Sequence, residues 1–283
     1  MSYEFLAGAR YRMPSHFGPS PGPRNIPPHV PVDHSKYPLT TVATVRFRTD
    51  AARLEAMMPP GMALGAAPVV SIDFAYIKAI PWLAGRGYNL ALVSWPAVFQ
   101  GRRDTASGRF AAVLFESFAD PIITGRDELG HPKIFCDIPE PQIHDGHYIC
   151  RLAWEGYEFA RAEIDVSAAT PAAPCTPDDP FHPPYWLQWK YIPGTPPEAG
   201  PDASYATLSP DPLAIHHYRN ITVDSATAGT AVLALRDARW EDLPTLYHVA
   251  NGLASLPVHE ITQAGVTCTH GWIGDVGDTR RLE

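Results

Sequence analysis

Alternation of apolar and polar residues with a period of two runs through most of the chain, while helical periodicity is rare. In residues 41–47, Val42, Thr44 and Arg46 oppose Ala43, Val45 and Phe47, which predicts a strand. Residues 69–77, 88–99 and 109–118 read as longer and more apolar strands. Asp145-Gly146 is a hairpin signal between residues 142–144 and 147–154. Residues 158–166, 213–218, 221–223 and 230–235 continue the pattern, and a final strand runs up to Trp272. One helix stands out, and a short one is possible before it. Thr49-Asp50 can cap one over 51–58, which Pro59-Pro60-Gly61 ends. Asp242 can cap the other, with Pro244 in its first turn and Leu243, Leu246, Ala250 and Leu253 along one face. Many strands, few helices and no regular βαβ alternation predict an α+β fold. Its sheet is expected to be mainly antiparallel and strongly wrapped or closed, because so many edges need cover.

Proline modifies this picture. The chain has 31, many of them within 14–38 and 171–201. Proline fixes φ and lacks a backbone donor, so neither stretch is the interior of a helix or a central strand. Residues 1–39 are expected to be an N-terminal arm, wrapped on a neighbour or disordered, ahead of one domain over 40–283. The second stretch is an ordered excursion, since Tyr185-Trp186-Leu187-Gln188-Trp189 lies within it.

Charge and cysteine content narrow the partners. The net charge of −8 and the lack of a Lys/Arg-rich run argue against nucleic acid. No run of about 18 apolar residues suggests a membrane span, and the N-terminus has no signal-peptide pattern, so a cytoplasmic protein is expected. Cys136, Cys150, Cys175 and Cys268 form no C-x-x-C and read as reduced thiols. His144 and His147 flank a hairpin tip without a further ligand, and His216-His217 point to opposite faces of a strand, so no metal is expected. No phosphate loop or nucleophile elbow occurs, and no cofactor is expected.

The candidate chemistry lies in Gly125-Arg126-Asp127-Glu128-Leu129-Gly130-His131-Pro132-Lys133, a polar turn ending in one lysine between Pro121-Ile122-Ile123 and Ile134-Phe135-Cys136. A free lysine amine titrates near 10.4, and a Schiff-base lysine must be brought to roughly 6–7. Apolar burial or a neighbouring cation supplies that shift. Ile122, Ile123, Ile134, Phe135 and nearby tryptophans are the expected apolar frame.

The run from Ile122 to Lys133 resembles the signature of the acetoacetate decarboxylase family, in which this lysine forms the Schiff base; such an activated lysine is a known device of that enzyme. Phe47-Arg48-Thr49-Asp50 with Met58-Pro59, Tyr88-Asn89, Pro184-Tyr185 and Leu256-Pro257-Val258-His259-Glu260-Ile261 resemble further family segments, in order from about residue 40 to 275. The resemblance implies a lysine-dependent carbon–carbon lyase acting on a carbonyl substrate, and a homo-oligomer. It makes Lys133 and Glu260 the catalytic candidates, Glu260 serving the proton transfers of imine formation. Tyr88, Asn89, Tyr185 and His131 are candidates for substrate contact, His131 facing pocket or solvent. Arg126 and Asp127 are expected to pair with each other or with backbone carbonyls and to position Lys133, with Glu128 exposed.

Departures from the family pattern shape the expected substrate. Ile134 stands where the decarboxylases have a second lysine, Thr40 where they have an arginine, and Asn89-Leu90 where they have a glutamate. Related aldolase-dehydratases tend to have a glutamine where Leu129 stands. These changes imply a larger, less charged pocket and a reaction on something other than acetoacetate, by decarboxylation or aldol-type chemistry. The alternative is a binding protein that keeps the fold and the lysine without turnover.

Overall fold

The structure, a computed structural model, describes residues 4–172, 185–211, 220–272 and 279–283. The predicted strand at 213–218 and His216-His217 lie outside the described residues, as does Cys175. In chain order the strands are β1 (Leu39–Arg48), β2 (Met62–Leu64), β3 (Val69–Lys78), β4 (Tyr88–Gln100), β5 (Thr105–Glu116), β6 (Lys133–Phe135) and β7 (Gln142–His144). They continue with β8 (His147–Trp154), β9 (Tyr157–Pro171), β10 (Tyr185–Pro193), β11 (Pro201–Pro210), β12 (Thr222–Leu235), β13 (Glu260–His270) and β14 (Arg280–Arg281).

These strands form one sheet in the order β14-β11-β10-β5-β4-β3-β1-β13-β12-β9-β8-β7, with β2 on β4 and β6 on β5. Pairing is antiparallel except at β10–β5 and β5–β6. Among the described residues the sheet wraps but stays open, so of the two expected geometries it is not the closed one. The fold is α+β and mostly sheet, as the period-two pattern implies.

The two faces of the central strands bury different things. Ala43, Val45 and Phe47 of β1, Ile72 and Phe74 of β3, and Val93 and Trp95 of β4 point into the main core. The alternate residues Val42, Ala75, Leu90, Leu92, Ala111 and Leu114 form a smaller apolar layer with Trp186 on the other face. That second layer underlies a cavity.

Helix is scarce and partly displaced from expectation. The first helix, α1, is shorter than predicted, at Ala51–Glu55. The helix predicted to start beside Asp242 begins later, as α3 (Tyr247–Ala254), after a series of turns. Leu243, Leu246, Ala250 and Leu253 are all buried as one face, but Asp242 accepts from the Arg239 backbone and guanidinium instead of capping α3. The hairpin at Asp145-Gly146 forms as predicted, both residues at positive φ, which suits a tight two-residue turn. The three described cysteines, Cys136, Cys150 and Cys268, carry free thiols. No helix among the described residues is long and apolar enough to cross a membrane.

The arm folds back on its own chain. His34 accepts from the Trp272 backbone N–H at 2.8 Å and packs its ring against the Trp272 indole. Arg10, Arg12 and Arg24 all reach the carboxylate of Glu128, at 3.7, 3.5 and 3.6 Å. Glu128, expected to be exposed, is therefore largely covered.

Candidate active site around Lys133

The run expected to be a polar turn is helical. After β5 ends at Glu116, α2 (Ala119–Thr124) continues into a wide π-type turn over Gly125–Leu129. Gly130 then adopts φ +80, His131 N–H donates to the Gly125 carbonyl at 3.0 Å, and the chain enters β6. A Cβ on Gly125 would stand 2.5 Å from Lys133 Cε, so the lysine stem lies where only a glycine leaves room. Arg126 Nη1 donates to the Lys133 carbonyl at 2.9 Å, the backbone contact expected of it. Asp127 is exposed and its carbonyl accepts from Lys190 Nζ at 2.5 Å.

β6 runs parallel to β5, with Lys133 beside Leu114 and Phe135 beside Glu116. Leu114, Glu116 and Lys133 therefore share a face, and the lysine reaches the carboxyl group. Lys133 is 8% exposed. Its Nζ stands 2.8 Å from Glu116 Oε1 and donates to the Pro121 carbonyl at 3.1 Å. Glu116 is fully buried, and beyond this ion pair neither of its oxygens has a hydrogen-bond partner among the described residues. Burial pushes its carboxyl group above the ordinary glutamate value, and Lys133 only partly opposes that.

Both groups open onto a cavity of about 720 Å³ between the second apolar layer and the arm. That size suits a small-molecule ligand. Its apolar wall comes from Val42, Ala75, Leu90, Leu114, Leu129 and Trp186. The expected frame is thereby corrected. Ile123 and Phe135 are exposed, and Ile134, on the strand face opposite Lys133, packs against the main core. Thr40 and Leu90, two of the positions that depart from the family pattern, both line the cavity.

His131 lies buried at the cavity wall, its Nε2 3.3 Å from Ser209 Oγ and its ring against Trp186. Burial, then the nearby Lys133 and Arg24 cations, hold its imidazole well below the ordinary histidine value, so it is neutral. Tyr88 lines the cavity as well. Burial and the Glu116 carboxylate push its phenol well above the ordinary value, leaving a neutral O–H.

Three residues expected at the site are not brought to it. Asn89 follows Tyr88 on β4 and so faces the other way, donating to the Ile138 carbonyl at 2.9 Å and to Glu140 at 3.0 Å. Tyr185 is exposed, and its neighbour Trp186 takes the inward position. Glu260 begins β13 opposite Arg48, pairs with it at 3.3 Å, and has a side chain 61% exposed. β13 reaches the cavity only from Gln263 onward.

Sequence reasoning missed Glu116 and a second polar centre. Glu116 had a signal: it is the lone carboxylate closing an apolar strand just before the lysine motif. The second centre joins Arg109 to Asp73 and Asp211, with Ser94 and Thr44 completing the hydrogen bonds. Burial alone would raise the Asp73 carboxyl group, but Arg109 and Arg46 outweigh it and hold the group below its ordinary value. Arg46 also donates to Gln263 at 2.7 Å, and both line the cavity. The cavity is thus not poor in charge, contrary to expectation. Among the described residues no cluster of three metal-ligating side chains occurs.

A wrapped, open sheet with a buried lysine–carboxyl pair on a cavity of small-molecule size places the chain among α+β proteins with a pocket on one sheet face. Residues 12–271 match the acetoacetate decarboxylase (ADC) family, and the chain belongs to that family. Acetoacetate decarboxylase from Legionella pneumophila subsp. pneumophila str. Philadelphia 1 is similar in structure at TM-score 0.62 and 19% identity, with 88% of each chain covered. An acetoacetate decarboxylase-like enzyme from Sphingomonas wittichii RW1 is similar at TM-score 0.63 and 22% identity, over 89% of this chain and 94% of that one. The enduracididine biosynthesis enzyme MppR, solved in complex with pyruvate, is similar at TM-score 0.63 and 17% identity, over 87% and 89%. No curated protein matches the sequence.

Proposed function

We propose that the chain is a Schiff-base lyase in which Lys133 attacks the carbonyl carbon of an oxo acid other than acetoacetate. The observation that carries this reading is the Lys133–Glu116 pair, 2.8 Å apart on an apolar cavity wall. In such a setting the amine–carboxylic acid form competes with the ion pair, because removing two charges from water is costly. A proton held by Glu116 leaves Nζ with its lone pair. As the C–N bond forms, the amine proton passes to the carbonyl oxygen, relayed by the carboxyl group. Glu116 then protonates the departing hydroxyl, and water leaves. The products are an iminium ion and a Glu116 carboxylate, so an ion pair again occupies the same place.

The iminium ion accepts the electron pair of the next bond to break. In a β-keto acid this is the bond to the carboxylate; carbon dioxide leaves and an enamine remains. In an aldol-type reaction the Glu116 carboxylate removes a proton from the carbon beside the iminium, and the enamine attacks an aldehyde. Tyr88, a neutral donor beside Glu116, suits the proton transfers that follow. Arg126, through the Lys133 carbonyl, holds the backbone of the nucleophile. The family supports a small carbonyl compound as the partner. A cytoplasmic homo-oligomer remains part of the reading.

Incubation with a panel of 2-oxo and 3-oxo acids followed by borohydride tests this. The expected result is a reduced adduct on Lys133, lost in Lys133→Met, together with turnover of at least one acid. Adducts without turnover of any acid would assign capture rather than catalysis. Absence of any adduct would refute the Schiff-base role.

A further inference from the structure

We infer that Arg24, carried into the cavity by the N-terminal arm, recognises the carboxylate of the oxo acid and so determines substrate specificity. This inference rests on the Schiff-base reading for the reacting carbonyl, but not for the carboxylate. Three observations carry it. Arg24 and the preceding Pro23 line the same cavity as Lys133 and Glu116, although the arm is remote from both in sequence. The Arg24 side chain is only 8% exposed, so its charge is directed into the protein. It is also near enough to His131 to disfavour a charge on the imidazole, as Lys133 does. A guanidinium on the cavity wall, close to the histidine that neighbours the lysine, is placed for an acid whose carbonyl lies at Nζ.

The arm reaches this position through Glu128, on the turn that positions Lys133. Glu128 pairs with Arg24 at 3.6 Å and with Arg10 and Arg12 at 3.7 and 3.5 Å. Arg12 donates to Thr124 at 2.5 Å, and Arg12 N–H donates to Ser20 at 2.8 Å, which fixes the chain just before Arg24. All three cavity arginines have partners: Arg24 pairs with Glu128, Arg109 with Asp73 and Asp211, and Arg46 with Gln263. Thr40, at the place of the family's arginine, offers a hydroxyl and no charge. Its place on the cavity lining beside His131 assigns the anionic substrate group to Arg24.

Three probes test this: pyruvate, its neutral ester methyl pyruvate, and lactate, which keeps the carboxylate but has no ketone. Borohydride trapping on Lys133 reads the first two, and saturation-transfer NMR reads lactate binding to the full chain. Arg24→Gln is expected to raise the half-saturating pyruvate concentration about 10- to 100-fold while changing methyl pyruvate by less than about twofold. Lactate binding should weaken with pyruvate, and Arg24→Lys should restore part of both. Equal loss of both trapped probes, or no change in either, would overturn the assignment. Lactate binding that depends on Arg24 without any trapping would refute the Schiff base and leave Arg24 standing. Trapping that ignores Arg24 would do the reverse. If wild-type protein neither binds lactate nor traps pyruvate, both readings fall.

Discussion

Replacing Lys133 by Met removes the cation from a pair that is buried on both sides. Glu116 is fully buried and has no other partner among the described residues, so the variant leaves a carboxylate in an apolar wall. Breaking a buried pair by removing one partner costs about 3–5 kcal/mol. The loss must depend on pH. Burial already raises the Glu116 carboxyl group above its ordinary value of 4.5, and losing Lys133 removes the one group that opposes the rise. A carboxyl group raised in the folded state binds its proton more tightly there than in the unfolded chain. Its penalty is therefore absent below 4.5 and grows as pH rises above it, at no more than about 1.4 kcal/mol per pH unit. Urea unfolding of wild type, Lys133→Met, Glu116→Gln and the double variant at pH 5 and pH 8 measures this. Lys133→Met should lose much more stability at pH 8 than at pH 5. The double variant should recover most of it, since no charge is left to bury. A loss independent of pH, or a double variant whose cost is the sum of the singles, would refute the buried, coupled pair.

Two further outcomes follow from the same electrostatics. Arg109→Met removes the cation that Asp73 and Asp211 share and should cost about 3–5 kcal/mol at neutral pH, read by denaturant unfolding, with partial recovery when Asp73→Asn is added. His131 is held below its ordinary value of 6.5 in the folded state, so the unfolded chain binds a proton that the folded chain refuses. Stability should then fall as pH drops below 6.5, by up to about 1.4 kcal/mol per unit, and His131→Phe should flatten that slope between pH 7 and 5.

The strands were legible because burial on one face writes a period of two into the sequence and burial on both faces writes a continuous apolar run. Residues 69–77 and 88–99 match β3 and β4 almost to the residue. β11 was not legible, because it starts at Pro201, the end of the proline-rich stretch, and closes on a further proline, Pro210. They are tolerated because β11 lies near the sheet edge, where β14 pairs with it over only two residues. The helical character of 119–129 was also hidden. Its glycines suggested a turn, whereas Gly125 serves the passage of the Lys133 stem and Gly130 ends the helical run at positive φ. The late start of α3 shows that a good capping residue is free to bond elsewhere, as Asp242 does with Arg239.

At the site, segments were easier to read than faces. A matched motif brings a stretch of chain to the cavity, but strand parity decides which side chain enters it. Tyr88 and Leu90 line the cavity, and Asn89 between them turns to Ile138 and Glu140. Trp186 enters where Tyr185 was expected, and Lys133 enters while Ile134 joins the core. Parity also finds Glu116, which shares a face with Leu114 and meets the lysine because β6 is parallel to β5 and in register with it. That pairing joins residues across a helical excursion, so no local pattern encodes it. The two buried carboxyl groups on the cavity then separate by what surrounds them. Asp73 has two arginines and is held ionised, a structural charge. Glu116 has one lysine and is pushed toward its protonated form. A carboxyl group that burial helps to keep its proton, beside an amine, suits the proton exchanges of the proposed imine chemistry better than a fixed charge does, which favours the β5–β6 end of the cavity for that reading.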